Sequence, residues 1–408
     1  MNFTIVHRNE VVIIGAGIAG LSAAREFEKQ GIDYVLLEKS NQPGGRIRTI
    51  SKDGFLLDAG FQVLHPNYPE VRNSGVWESL QFSSFLSGAF FSKEKNLTWY
   101  GNPFLDFTGF VSSGFASPFP FKEYPAALRI FMEALNSDED FQQLPVTETT
   151  MDYLRKNGFG SKTIEQFFKP FFGGVFLDLQ LQAGSNYFRW LLKKFMQGKP
   201  GLPLGGMQSL PFGLASKLPA NREILFHTEV KGMEGDKLFC INGRQFEARY
   251  FLDTSGMQNS RTPFRSTRNI YLAGPQEKKL PAALILNGNP EGSVMHFCFP
   301  SAVQPSYAPP DYSLCSVTLK NPDQEPDFDT LRKELQLLYP TLNWERWHWL
   351  ESFYVKKALP EHQSGGKMLF REKGNVFFAG DIESYPSING AMRSGREAAE
   401  MISQKLRA

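Results

Sequence analysis

The stretch that most restricts how this chain can fold is its opening strand–turn–helix–strand signal, residues 10–40. Val11, Val12, Ile13 and Ile14 form the β-branched run that a parallel strand buried on both faces requires. Gly15, Ala16, Gly17, Ile18, Ala19 and Gly20 follow and fit the pattern G-x-G-x-x-G. A helix over Leu21–Gln30 closes at Gly31, and Tyr34–Leu37 reads as a second strand with Glu38 at its carboxyl end. Gly15 permits the tight turn, Gly17 lets the backbone approach a pyrophosphate, and Gly20 lets helix and strand pack closely. The free N–H groups of the first helical turn favour a phosphate there. Glu38 is placed to accept hydrogen bonds from adenosine ribose hydroxyls, and its charge argues against the 2′-phosphate of NADP. The motif alone leaves NAD and FAD both open.

Composition sets the outer limits. The 408 residues suffice for two or three packed units, and 41% hydrophobic with 21% charged residues describes a globular chain. A net charge of +2 makes no electrostatic case for a nucleic-acid partner. Cys240, Cys298 and Cys315 show neither C-x-x-C nor ligand-like spacing, which predicts a reducing compartment without disulfides. The six histidines are scattered and no H-E-x-x-H occurs, so no metal site is expected. The apolar run near the N-terminus is interrupted by glycines and lacks the basic flank of a signal peptide. No stretch approaches the ~18 apolar residues of a membrane span. The expectation is a cytoplasmic chain, with at most a peripheral contact to a membrane surface. The 37 phenylalanines are concentrated between Phe82 and Phe195, which predicts more aromatic lining than a core alone requires.

After Glu38 and Lys39 comes a second glycine loop, Gln42–Thr49. Gly44 and Gly45 allow the backbone close to a ligand, and Arg46 can offer a guanidinium fork to a phosphate. Gly54–Leu64 reads as a short strand entering a turn that carries Asp58, Gly60, Phe61 and Gln62. G-A-G-I-A-G, the acidic end of the second strand, G-G-R-x-x-T and D-x-G-x-Q together resemble the FAD-dependent amine oxidase and phytoene desaturase superfamily, which also includes protoporphyrinogen oxidases. The resemblance implies an α/β fold: an FAD-binding Rossmann-like domain of the glutathione-reductase type with an inserted α+β substrate domain.

The middle of the chain is less regular. Residues 68–200 lack βα alternation and read as mostly helical insertions. Thr150 is placed to cap a helix over Met151–Asn157, ended by Gly158, and a second helix starts at Ser161. Pro170 predicts a turn over Phe171–Gly174. Phe104–Phe121, six phenylalanines among glycine, serine and proline, reads as a loop with buried aromatic anchors; core filling is the favoured reading over a lid on a greasy pocket. Gly201–Met207 leads into a helix over Gln208–Leu218, where the resemblance implies a return to the cofactor domain. Ile224–Val230 reads as a strand followed by hairpins, and the resemblance implies that the Val230 backbone contacts adenine. Tyr250–Gly256 stands where the superfamily carries V-I-x-A-T, with Asp253 as a departure. Farther on, alternation predicts strands over Ala283–Asn287, Val294–Phe299 and Tyr312–Leu319 and a helix near Phe328–Leu338. For Trp344, Trp347 and Trp349, core packing is favoured over an aromatic wall at a flavin.

The C-terminal stretch decides the cofactor. Asn375–Asp381 is a buried strand ending in Gly380 and Asp381, followed by a helix whose start carries Ser387, Ile388, Gly390 and Ala391. The resemblance implies that Asp381 binds the ribityl chain and that the helix points its N-terminus at the flavin pyrimidine. A positive helix end there stabilises the negative charge of reduced flavin. Two cofactor segments more than 300 residues apart, with G-G-R-x-x-T between them, select FAD over NAD. The candidate cofactor residues are therefore Gly15 to Gly20, Glu38, Lys39, Gly44, Gly45, Arg46, Gly60, Phe61, Gln62, Val230, Gly380, Asp381, Ser387, Ile388 and Ala391. No second G-x-G-x-x-G occurs, which points to oxygen, a quinone or another diffusible electron acceptor. No cysteine lies near the C-terminal motif, which points to non-covalent FAD.

The expected FAD domain is discontinuous, from residues 1–75, 203–266 and 366–408, with the substrate domain from 76–202 and 267–365. The leading expectation is an FAD-dependent oxidoreductase that removes hydride from a C–H bond of a hydrophobic substrate, such as a polyprenoid, carotenoid or porphyrinogen. The alternatives are an amine oxidase producing hydrogen peroxide and a non-redox FAD-bound isomerase or scaffold. No catalytic residue is assigned. His65 is the nearest candidate, with a structural or solvent-facing role favoured.

Overall fold

The computed structural model describes residues 6–93, 95–102, 105, 119–137, 140, 147–220, 222, 224–256, 263–361 and 369–408. Most of the expected aromatic loop Phe104–Phe121 and the boundary at 366 lie outside these residues.

The first strand, Val6–Ile14, pairs in parallel with Tyr34–Leu37 on one side and Gln245–Asp253 on the other. Ile224–Leu225 extends the sheet beyond Tyr34–Leu37, and Val376–Ala379 pairs in parallel with the far edge of Gln245–Asp253. Counted in chain order, the parallel strands therefore run 3-2-1-4-5. This is the half-sheet whose order reverses beside the first strand, leaving a crevice at the carboxyl ends of strands 1 and 4. Val11, Val12 and Ile13 are fully buried, as a strand covered on both faces demands. One face carries the helices Ile18–Gln30 and Ile388–Arg407. They meet where a Cβ on Gly395 would lie 2.0 Å from the Ala19 carbonyl oxygen, so only glycine admits this approach. The other face is covered by the hairpin Val230–Glu234 and Lys237–Cys240.

A second sheet of seven strands is built in the order 348–360, 264–275, 312–319, 294–298, 284–287, 88–93 and 96–101. Its back face packs on the helix Phe328–Leu338, where Trp344 and Trp347 are buried and Trp349 packs alongside. Its front face turns toward the loop that follows Asp58. Among the described residues no helix is long and apolar enough to cross a membrane.

Several local expectations are corrected. The first helix begins at Ile18, because Gly17 is its extended N-cap. Thr149, one residue before the expected cap, accepts the Asp152 N–H and starts the helix Thr150–Lys156. The expected strand Ile224–Val230 breaks at His227, whose φ is 52°, so Val230 begins the next strand. Pro170 does not make a turn. The π-helical segment Ile164–Phe168 places it in the first turn of Lys169–Phe176, where no N–H is needed. The region 68–200 is not purely helical: Gly88–Lys93 and Asn96–Gly101 form a hairpin that completes the second sheet. Part of the phenylalanine content lies in one helical core, where Phe168, Phe172 and Phe188 interlock with ring centroids 4.7 to 6.3 Å apart.

Gly395→Ala is expected to destabilise the protein by about 2 kcal/mol through overpacking against Ala19. Gly243→Ala, where a Cβ would meet nothing but the residue needs a φ of +83°, should cost about half as much. Urea unfolding midpoints measure both.

Candidate active site

The crevice at the strand-order reversal is lined by the first glycine turn. Gly15 adopts a φ of +100°, and Thr254, just past the carboxyl end of Gln245–Asp253, pins the turn by donating from Oγ1 to the Ile14 carbonyl at 2.9 Å. Asp253, the departure noted in the sequence, holds this second turn by accepting from the N–H and hydroxyl of Ser255 at 2.8 and 2.6 Å. A Cβ on Gly20 would fall 2.0 Å from the Gly15 carbonyl oxygen, so that glycine seats the helix on the strand. Gly17 differs: a Cβ there would meet no protein atom within 4 Å. Glycine at this position, beside helical N–H groups that lack a side-chain cap, leaves concave space suited to an anionic group.

The neighbouring elements close around that space. Gly44 donates to the Ala16 carbonyl at 2.8 Å, and a Cβ on Gly45 would lie 3.5 Å from the Gly17 Cα. Glu38 is buried and accepts from the Ala16 N–H, the Ser40 N–H and the Ser40 hydroxyl, each at 2.8 Å. Lys39 is exposed. The chain at residues 227–230 runs alongside: His227 and Thr228 donate to the carbonyls of Ser40 and Glu38 at 3.1 and 2.9 Å, which carries Val230 toward the same end of the sheet.

The second glycine loop joins the C-terminal motif. Arg46 forms an ion pair with Asp381 and donates to the Ala358 carbonyl at 3.2 Å. The guanidinium expected to face a phosphate is thus engaged by the carboxylate expected at the ribityl chain. Gln62 donates to the Arg46 carbonyl at 3.0 Å. Gly380, at a φ of +123°, donates to the Ser394 hydroxyl at 2.7 Å, locking the Gly-Asp turn to the last helix. Ser387 caps that helix by accepting from the Gly390 N–H at 2.9 Å; Ile388 opens it and Ala391 is buried in its first turn. Gly60 and Phe61 face the second sheet. A Cβ on Gly60 would sit 3.6 Å from Thr267, and the Phe61 ring lies 5.2 Å from the His296 ring.

Two supporting residues, Gln208 and His296, escaped the sequence reading, and a third, Asp58, was read only as part of the D-x-G-x-Q motif. Gln208 donates to the Pro43 carbonyl and accepts from the Thr49 N–H at 3.2 Å, clamping the second glycine loop. The glycine-rich entry just before Gln208 was the available signal. Asp58 accepts from Thr49, Met207 and Tyr307. His296 stands in a strand otherwise apolar in this stretch, and no local pattern marks it.

The buried titratable groups have opposite tendencies. Burial raises Asp58 to about 6 against three stabilising hydrogen bonds. Burial, with the Lys194 charge nearby, lowers His65 to about 4, and burial alone lowers His296 to about 4. His65 is not solvent-facing: its Nδ1 accepts from the Asn67 N–H at 3.2 Å, and its ring packs between Tyr68 and Phe195. It holds structure. Among the described residues no cluster of side chains could hold a metal ion.

A 3-2-1-4-5 parallel sheet with a glycine turn and a buried carboxylate at its switch point, joined to a large mixed sheet, defines a two-part fold of the dinucleotide-binding class. Residues 18–403 match the flavin containing amine oxidoreductases, and the chain belongs to that family. The chain is 26% identical over 241 residues to a coproporphyrinogen III oxidase of Staphylococcus aureus, covering 52% of this chain and 50% of that protein. A 51-residue stretch is 43% identical to a 4,4′-diapophytoene desaturase of Staphylococcus aureus, covering 12% of this chain and 10% of that one. The chain thus spans half the length, or much less, of these relatives. In fold it is similar to an oxidoreductase from Methanosarcina mazei, with a TM-score of 0.73, 15% identity and coverage of 96% and 99% of the two chains. It is also similar to putrescine oxidase bound to putrescine, with a TM-score of 0.71, 15% identity and coverage of 98% and 99%.

Gly17→Ala should leave the urea midpoint of the FAD-free protein almost unchanged while weakening FAD binding at least tenfold, about 1.4 kcal/mol. Flavin fluorescence titration measures it. Acid should destabilise the fold. The two histidines have native pKa values below the ordinary 6.5, so the unfolded chain binds more protons and stability falls as pH drops from 6.5 toward 4. At pH 5 each costs about 2 kcal/mol, while Asp58, raised in the native state, returns about 1. Unfolding free energies at pH 7 and 5 should therefore differ by about 3 kcal/mol from these groups, and by less in His65→Gln.

Proposed function

We propose that this protein oxidises a hydrophobic small molecule by removing hydride from a C–H bond, as an oxidase or desaturase working with a diffusible acceptor such as oxygen or a quinone. FAD is held non-covalently in this reading by residues 1–75, 203–266 and 366–408, and the substrate by residues 76–202 and 267–365. Bound FAD supplies the hydride acceptor. Gly15 to Gly20 and Gly44–Gly45 cradle the pyrophosphate, Glu38 orients the ribose, and Val230 borders the adenine. Arg46 and Asp381 hold the middle of the cofactor, and the helix beginning with Ser387, Ile388 and Ala391 places its positive end against the developing negative charge. Gly60, Phe61 and Gln62 separate the cofactor from the substrate sheet.

The front face of that sheet supports the substrate class. Ala89, Phe91 and Leu286 are buried there beneath Phe167 and Phe171 of the covering helix, so this part of the face is apolar. Relatives named for coproporphyrinogen and diapophytoene accord with an apolar substrate. An amine oxidase is the second reading. It draws on the likeness to putrescine oxidase and on the polar group Asn269, Ser316 and Thr318 buried on the same face.

Anaerobic titration of the yellow protein separates them. Flavin bleaching by a porphyrinogen or polyene, and not by amines, is the expected result. Bleaching by amines alone would favour the second reading, and a protein unable to take up FAD would overturn both.

A further inference from the structure

Pairing across the seven-stranded sheet aligns Phe353, Asn269, Thr318, His296, Leu286 and Phe91 in one lateral row. Its polar members are satisfied with one exception. Asn269 donates to the Ser316 hydroxyl at 3.0 Å, and Thr318 donates to the Asn269 side-chain oxygen at 3.1 Å. His296 is 4% exposed, and neither of its ring nitrogens has a hydrogen-bond partner. Leaving both unpaired costs stability that an apolar residue of similar size would not, so the imidazole calls for a partner from outside the chain.

Its position indicates what that partner is. The His296 ring meets Phe61 of the loop assigned to the cofactor, and the neighbouring Gln62 also has a buried, unpartnered side-chain oxygen. On the opposite side a Cβ on Gly174 would lie 2.9 Å from His296 Nδ1 and Cε1, so the covering helix presents bare backbone to the ring. Burial keeps the imidazole neutral, with one N–H and one bare nitrogen.

We propose that His296 is a specificity-determining residue whose imidazole hydrogen-bonds an N–H group of the substrate, so that the site prefers a nitrogen-bearing apolar molecule over a hydrocarbon polyene. The proposal rests on the reading that this face of the sheet holds substrate. A hydrocarbon seated here would leave both nitrogens unsatisfied, whereas an N–H donor pairs the bare nitrogen as it binds.

The test uses the full-length, FAD-loaded protein with three probes: coproporphyrin III, putrescine, and the hydrocarbon squalene in detergent. Calorimetry gives the affinities, flavin absorbance reports occupancy of the site, and ¹⁵N-imidazole labelling reports His296 directly. A nitrogenous probe should shift the His296 ¹⁵N resonances and bind about tenfold more weakly to His296→Phe. His296→Gln should recover most of that loss, and squalene should not discriminate among the three proteins. If His296→Phe fails to load FAD, the resonance shift and His296→Gln still decide. Unchanged affinity and unshifted resonances, with the flavin still responding, would overturn the role of His296 and leave the substrate site intact. Response to squalene alone would overturn the role and favour a hydrocarbon substrate. Silence from all three probes would overturn the reading of this face as the substrate site, and the role with it.

Discussion

Asp58 is buried, and its carboxylate and main-chain carbonyl together tie four separate stretches of chain to one point. It accepts from the Thr49 hydroxyl at 2.5 Å, the Met207 N–H at 3.0 Å and the Tyr307 hydroxyl at 2.9 Å, while its own carbonyl accepts from the Tyr271 hydroxyl at 2.9 Å. Thr49 ends the second glycine loop, Met207 precedes the helix that clamps it, Tyr271 lies in the seven-stranded sheet and Tyr307 in the turn 305–307. The loop Gly60–Gln62 leaves directly from this junction. Dehydrating a carboxylate is unfavourable, as the raised pKa of Asp58 records, and only a complete set of donors makes it tolerable. That requirement fixes the register between the two sheets more tightly than apolar contact could, because a shift of one residue would strand the charge.

Around that junction the two halves use different packing materials. The parallel sheet is filled by aliphatic residues and alanine, which let the first and last helices approach closely at Gly395. The helical part between residues 119 and 197 is filled by aromatic rings in edge-on and offset contacts. Such rings supply large buried areas from short helices, at a small cost in side-chain entropy. Part of the abundance of phenylalanine is accounted for by this core, and a smaller share reaches the sheet face through Phe167 and Phe171.

The cofactor half was legible in the sequence because its demands are local. A positive φ at Gly15, a close contact at Gly20 and a carboxylate at the end of a short strand all leave marks within a few residues of one another. Tyr312–Leu319 and Phe328–Leu338 were readable for the same reason, since alternation and helical periodicity are short-range signals. What stayed hidden depends on distant partners. Pro170 read as a helix breaker because a π-helical turn that absorbs it has no sequence mark. The hairpin 88–101 read as part of a helical insertion because its partner strand lies near residue 286. Gln208 and His296 matter through neighbours more than 100 residues away, and the pairing of Arg46 with Asp381 spans 335 positions.

The parallel sheet has a consequence for biosynthesis. Its fifth strand is Val376–Ala379, and the helix that seals its face contacts Ala19 through Gly395. A nascent chain emerging from a ribosome therefore carries its first glycine turn, exposed on one face, through nearly the whole of translation. The aromatic helices in the middle form mostly sequence-near contacts and can condense early, while closure of the nucleotide half waits for the last thirty or so residues. Loss of a short C-terminal piece would then do more than shorten a helix: it would leave a protein with a folded middle and an open first half, the kind of species that chaperones and proteases recognise.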